Sequence, residues 1–325
     1  MTGIRRSYCL PRLAALCGAA ISTLALFSGC GDSDGGGAKE VQVSRTEQPI
    51  VFVSIPPQRT FVRQIAGERA EVHVMVEPGR SPATYEPSPK QMAALGSAHL
   101  YLRIGVPFED AWMERIRRNA PRMRVVDTLE GIHLRTMEAH HHDHHEDEDA
   151  HEHDHAEAEA DSGRKDPHVW LDPDLVKAQA RTIAEALKAV DPYNAHQYEN
   201  NLSKFLQRLD DLDAYIEQRL ANLEDRTFMV FHPSWGYFAA AYDLEQFAVE
   251  VEGKEPGGKA LAEIIDRARA EGIDTIFVQP QFSRAAAKTI ADAVGAAVAT
   301  LDPLAEDYFE NLRNVADTLA RSQQK

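Results

Sequence analysis

Cysteine is almost absent from this chain: Cys9, Cys17 and Cys30 all fall within the first thirty of 325 residues. The body beyond them can form no internal disulfide, no cysteine-ligated zinc finger and no thiol nucleophile, so its stability must come from a packed core. Basic residues are also in deficit. Thirty-five Lys and Arg face 51 Asp and Glu, a net charge of −16 that excludes a general binder of phosphate backbones. Much of the deficit is local, because residues 138–161 hold eleven acids and neither Lys nor Arg. The apolar run at 13–27 is shorter than the ~20 residues that cross a bilayer comfortably. Between 193 and 223 there is neither Gly nor Pro, so nothing there interrupts a helix.

The N-terminus reads as an export address. Arg5, Arg6 and Arg12 precede the apolar run and Ser28-Gly29-Cys30 follow it, the layout of a secretory signal. Leu26-Phe27-Ser28-Gly29-Cys30 resembles a bacterial lipobox, with Phe27 where a smaller aliphatic residue is usual. That resemblance implies cleavage before Cys30 and lipidation of its sulfur. Ordinary cleavage leaving a free Cys30 thiol is the alternative. Residues 31–39 are rich in Gly, Asp and Ser and are expected to form a flexible tether.

From residue 50 the pattern alternates. Apolar runs at 50–55, 72–76, 98–106 and 124–126 read as strands separated by helical spacing, and a second series follows at 227–231, 246–251, 274–278 and 297–301. Such alternation predicts an α/β fold of two lobes, each with a parallel sheet flanked by helices. Between the lobes, Tyr198, Leu202, Phe205, Leu209, Leu212, Ile216 and Leu220 recur at three- and four-residue steps. One helix of about 31 residues, ~46 Å long, is expected there as a rigid strut. The expected domains are a signal peptide at 1–29, a tether at 30–48, an N-terminal lobe at 49–190, a linking helix at 191–223 and a C-terminal lobe at 224–325.

Eight of the fourteen histidines (His140, His141, His142, His144, His145, His151, His153 and His155) lie among the acids of 138–161. This segment has no apolar period and is expected to be disordered. Its imidazoles and carboxylates suit labile binding of zinc, copper or nickel, and a solvated insertion without a role is the plainer reading. His151-Glu152-His153-Asp154-His155 matches the metalloprotease motif H-E-x-x-H only within a run of few residue types, with no apolar helix face behind it. A phosphate-loop match from Gly253 to Lys259 fails because Ala260 stands where Ser or Thr must bind magnesium. The quieter candidates are His168 in DPHVWLDP, His232 in FHPSWGYF and Asp302 in LDPLA. His232 and Asp302 sit just past apolar strands, where parallel sheets gather ligand groups. A core histidine, a turn residue and a helix N-cap are their respective ordinary readings. His73, His99, His133 and His196 fit local strand, turn or helix patterns.

At these residues the chain resembles the zinc- and manganese-binding solute-binding proteins of bacterial metal ABC transporters, most of all the zinc-uptake branch. The likeness covers nearly all of 50–322 and rests on PGRSPATYEPSP (78–89), DPHVWLDP (166–173), FHPSWGYF (231–238), IFVQPQFS (276–283) and LDPLA (301–305). It implies one metal, Zn2+ before Mn2+ or another divalent ion, held between two lobes that a backbone helix joins. His168, His232 and Asp302 fall on its ligand positions. One position departs: Ala83 stands where the family usually has His, and a methyl group cannot coordinate. Water, Glu86, Tyr85 or a histidine of the 140–155 run could fill the opening.

The function implied is an exported, lipid-anchored, monomeric receptor that delivers metal to a permease and its ATPase, with no nucleic-acid partner and no reaction. Two His and one Asp around an open position are also a zinc hydrolase's ligand set, but no general base stands beside them. A metal-buffering or adhesin-like lipoprotein is the remaining alternative.

Overall fold

Each short apolar run adds one strand to one of two parallel sheets. The computed structural model describes residues 47–137, 165–250 and 256–322. The expected signal, Cys30, the eight histidines of 140–155 and the Gly253 end of the rejected phosphate-loop match lie outside the described residues. In the first lobe β1 (Ile50–Val53), β2 (Glu71–Val74), β3 (Leu100–Arg103) and β4 (Arg124–Asp127) are ordered β2-β1-β3-β4. In the second, β5 (Thr227–Val230), β6 (Glu245–Ala248), β7 (Thr275–Val278) and β8 (Ala297–Thr300) repeat that plan as β6-β5-β7-β8. Parallel pairing requires crossovers. Helices α1 (Pro56–Ala66), α2 (Pro89–Leu95) and α3 (Pro107–Asn119) supply them in the first lobe. In the second, α6 (Gly236–Ala241), α7 (Gly258–Ala270) and α8 (Ala285–Val294) do so. Each sheet reverses its winding between its first and third strands, and the carboxyl ends at such a reversal form a natural ligand crevice.

Two long helices fill the middle. The expected helix over 191–223 is shorter in the structure, where α5 covers Ala195–Leu220, 26 residues. Pro192 opens a separate 3-10 turn at Pro192–Asn194, and at the other end the Leu223 N–H closes a turn on the Leu220 carbonyl at 3.3 Å. Alongside lies α4 (Pro173–Val190), begun by Pro173 and by Asp172, whose Oδ1 accepts the Asp174 N–H at 2.8 Å. Val176, Ala180, Ile183 and Leu187 are its buried face.

Successive residues of β5 divide between two cores, as the pleat requires. Met229 joins the smaller core with residues of α7 and α8, as does Phe231 just beyond the strand. Phe228 and Val230 join the larger, which runs unbroken from the first sheet through α1, α4, α5 and α9 (Tyr308–Ser322) to the second sheet. The lobes therefore share a core. Phe61 of α1 meets Phe205 of α5 at 5.9 Å and, edge-on, Tyr308 of α9 at 5.0 Å. Arg59 and Arg63 of α1 reach Glu306, ahead of α9, at 2.8 and 3.1 Å.

A polar group interrupts this seam. Tyr242 Oη donates to Asp213 Oδ1 of α5 at 2.8 Å, and Tyr308 Oη is buried without a partner among the described residues. Asp172 is half-buried beside them. Burial, with the like charges of Asp174 and Asp213 adding to it, pushes its carboxyl up from 3.8 to about 6.

Candidate metal centre

β5 delivers His232 to the point where the second sheet reverses. Its backbone is held by Gln279, just past β7, which donates through Nε2 to the His232 carbonyl at 2.6 Å and accepts the His232 N–H at 3.2 Å. The ring Nδ1 stands 3.1 and 3.0 Å from the two carboxylate oxygens of buried Glu250. Phe282 covers the ring at 5.1 Å, tilted by only 30°.

His168 lies in the short loop leading to α4. Asp166 Oδ1 accepts both its backbone N–H, at 2.9 Å, and its ring Nδ1–H, at 2.6 Å. Trp170, two residues on, is buried and donates its indole N–H to the Pro303 carbonyl at 2.7 Å. The loop that carries His168 is thereby fastened to the loop that carries Asp302.

The two imidazoles meet edge to face, with ring centroids 5.4 Å apart and planes at 71°. In a neutral imidazole, a carboxylate acceptor at Nδ1 draws the proton to that nitrogen and leaves the lone pair on Nε2. Neither Nε2 makes a hydrogen bond among the described residues. With side chains 12% and 19% exposed, both remain reachable from solvent. A carboxylate behind each imidazole fixes its tautomer and its orientation, which is how proteins prepare histidines for a divalent cation.

Asp302 is placed differently. Its Oδ1 accepts the Leu304 N–H at 2.9 Å and the Gln281 Nε2–H at 3.0 Å, closing a turn well ahead of α9 rather than capping that helix. Among the described residues no three His, Cys, Asp or Glu side chains stand close enough to hold a metal. The structure pairs His168 with His232 and leaves Asp302 outside a three-residue set. Ala83 is exposed and donates its N–H to Ser81 Oγ at 3.3 Å, and Glu86 is exposed on the same loop. Tyr85 is committed to the core: it is buried, packs edge-on to Phe108, and donates to Gln91 Oε1 at 2.8 Å. His73 stacks on Phe52 and pairs with Glu71, His99 accepts the Ile50 N–H, His196 is exposed near Glu199, and His133 is exposed.

Fold and sequence together place the chain in one class. Residues 51–322 match the family described as zinc-uptake complex component A, periplasmic, and the chain belongs to it. One relative is the high-affinity zinc uptake system protein ZnuA of Bacillus subtilis (strain 168), 28% identical over 285 residues, 86% of this chain and 85% of that one. A crystal structure of ZnuA matches with a TM-score of 0.77 at 39% identity, covering 86% of this chain and 100% of the other. A zinc-bound ZnuA deletion mutant matches with a TM-score of 0.76, again at 39% identity, over 86% and 99%. The likeness seen in the motifs and the two-lobed α/β architecture expected from the alternation both hold.

Proposed function

We propose that this chain is the extracytoplasmic receptor of an ABC zinc importer, not an enzyme. It captures Zn2+ as cargo and passes it to a membrane permease driven by a partner ATPase. One observation carries the reading: two imidazoles meet edge to face, each with Nδ1 on a buried carboxylate and, among the described residues, no hydrogen bond at Nε2. His168 and His232 are the ligands we assign. Asp302 supplies a third through Oδ2, the oxygen that Leu304 and Gln281 do not use. The position of Ala83 leaves the set open, and the histidines of 140–155 compensate by gathering metal close to the centre.

Zinc titration against a competing chelator tests this. Deleting 138–161 is expected to remove the weaker equivalents and keep one tighter one, somewhat weakened. Adding Ala83→His to the deleted chain should recover about tenfold in affinity by completing a tetrahedron. A deleted chain that binds no zinc tightly overturns the interlobe assignment.

The signal at 1–29 would direct export and be removed; lipidation at Cys30 and the tether at 30–48 would then hold a monomeric receptor at a membrane, with 49–190 and 224–325 as its lobes. Cys30→Ser is then expected to move the protein from the membrane to the soluble fraction, since multiple acyl chains anchor firmly. Unchanged fractionation removes the anchor from this account.

A further inference from the structure

The motif that carries His232 also grips the backbone on which His168 stands. Arg135 and Asp166 bracket the His-rich segment. They are joined by the Asp166 N–H donating to the Arg135 carbonyl at 2.9 Å, next to an antiparallel bridge between Thr136 and Lys165. A regular antiparallel pair of this kind exchanges two such bonds. Here the second is replaced: Tyr237 Oη accepts the Arg135 N–H at 2.9 Å and donates to the Asp166 carbonyl at 3.0 Å. The Tyr237 side chain is buried and the Arg135 guanidinium lies 6.0 Å from the centre of its ring. Its neighbour Gly236 completes the grip. A Cβ at Gly236 would stand 3.2 Å from Asp166 Oδ2, closer than ordinary contact, so the missing side chain is what lets the Asp166 carboxylate lie there. That carboxylate orients the His168 ring.

We propose that Tyr237 is a positioning residue for zinc: through Asp166 it sets where the His168 imidazole points relative to His232, and Gly236 provides the space in which it does so. The inference rests on His168 and His232 being zinc ligands. It adds that the second lobe, besides contributing its own imidazole, places that of the first. Partners one step removed from a metal commonly govern 10–100-fold in affinity, and the lower end is expected here because Asp166 keeps its bonds to His168.

The test uses the full chain with zinc against a competing chelator, together with long-range proton–nitrogen NMR of the imidazoles in the zinc-free protein. Tyr237→Phe is expected to weaken the tightest zinc equivalent about tenfold without changing stoichiometry. The His168 signal, assigned by its loss in His168→Gln, should pass from one Nδ1–H tautomer to a mixture while that of His232 stays put. Gly236→Ala removes no hydrogen bond yet should act in the same direction, so the test survives if Tyr237→Phe folds poorly. A role confined to holding the fold would lower the melting temperature of Tyr237→Phe and leave affinity and tautomer alone. The proposal is overturned if both variants bind like the parent while His232→Ala loses zinc, or if the tautomer shifts without loss of affinity. If His232→Ala itself binds like the parent, the centre is misassigned and the inference falls with it.

Discussion

Replacing His232 with alanine is expected to weaken zinc binding by about a hundredfold or more, and His168→Ala by a similar factor. The two rings meet edge to face at 5.4 Å between centroids, and among the described residues neither Nε2 makes a hydrogen bond. Either substitution leaves one imidazole and the Asp302 carboxylate to offset the dehydration of a doubly charged ion. A hundredfold loss corresponds to about 2.7 kcal/mol, well above the error of a chelator competition. Measurements in chains lacking 138–161 keep the eight histidines of that segment from masking the loss. His232→Ala also strips buried Glu250 of its partner, so melting of the zinc-free variants must accompany the titration. Retained affinity in both variants would put the zinc elsewhere.

The second large effect concerns stability in the absence of metal. Asp172 titrates at about 6 in the folded protein against an ordinary 3.8, so folding favours its protonated form. Below 3.8 both states carry the proton and the residue contributes nothing to pH dependence. As pH rises from about 4 to 6, the unfolded chain gives up its proton first, and stability falls until the folded carboxyl has ionised too. The full shift amounts to about 3 kcal/mol, and partial exposure of the side chain reduces this to about 2 kcal/mol. Asp172→Asn keeps an oxygen to accept the Asp174 N–H, so the start of α4 is preserved. Urea unfolding of the zinc-free protein should therefore find the Asn variant more stable than the parent at pH 7.5 by about 2 kcal/mol and nearly equal to it at pH 4. A variant less stable at pH 7.5 would mean that the seam needs the charge.

Most of the architecture was legible because parallel strands buried on both faces leave dense apolar runs, and these stood out from helical spacing on either side. The ends were less so. Helix α5 was expected over 191–223, but Pro192 starts a separate turn and the chain peels away after Leu220. Helix α4 carries a signal of the same kind, with Asp172 and Pro173 at its start, but its apolar stripe is shorter than that of α5. At the site, the two histidines could be picked out by motif, whereas their supports could not. Glu250 is 18 residues from His232 and Gln279 is 47 residues away, and only the sheet brings them together. Asp166 was within reach of local reasoning: a carboxylate two residues before a histidine in a tight turn can bond both its N–H and its ring.

The contact between α1 and α9 also fixes the order in which the molecule can be completed. Arg59 and Glu306 are separated by 247 residues, and Tyr308 and Phe309 are made long after Phe61 and Phe205, against which they respectively pack. Until Tyr308–Ser322 has emerged, the parts of α1 and α5 that this helix covers stay open, so the larger core is unfinished without it. Closure across so long a stretch of chain is slow, because the entropy of the loop must be spent before the aromatic contacts repay it. A nascent chain of this design therefore cannot close its larger core until its final helix has been made.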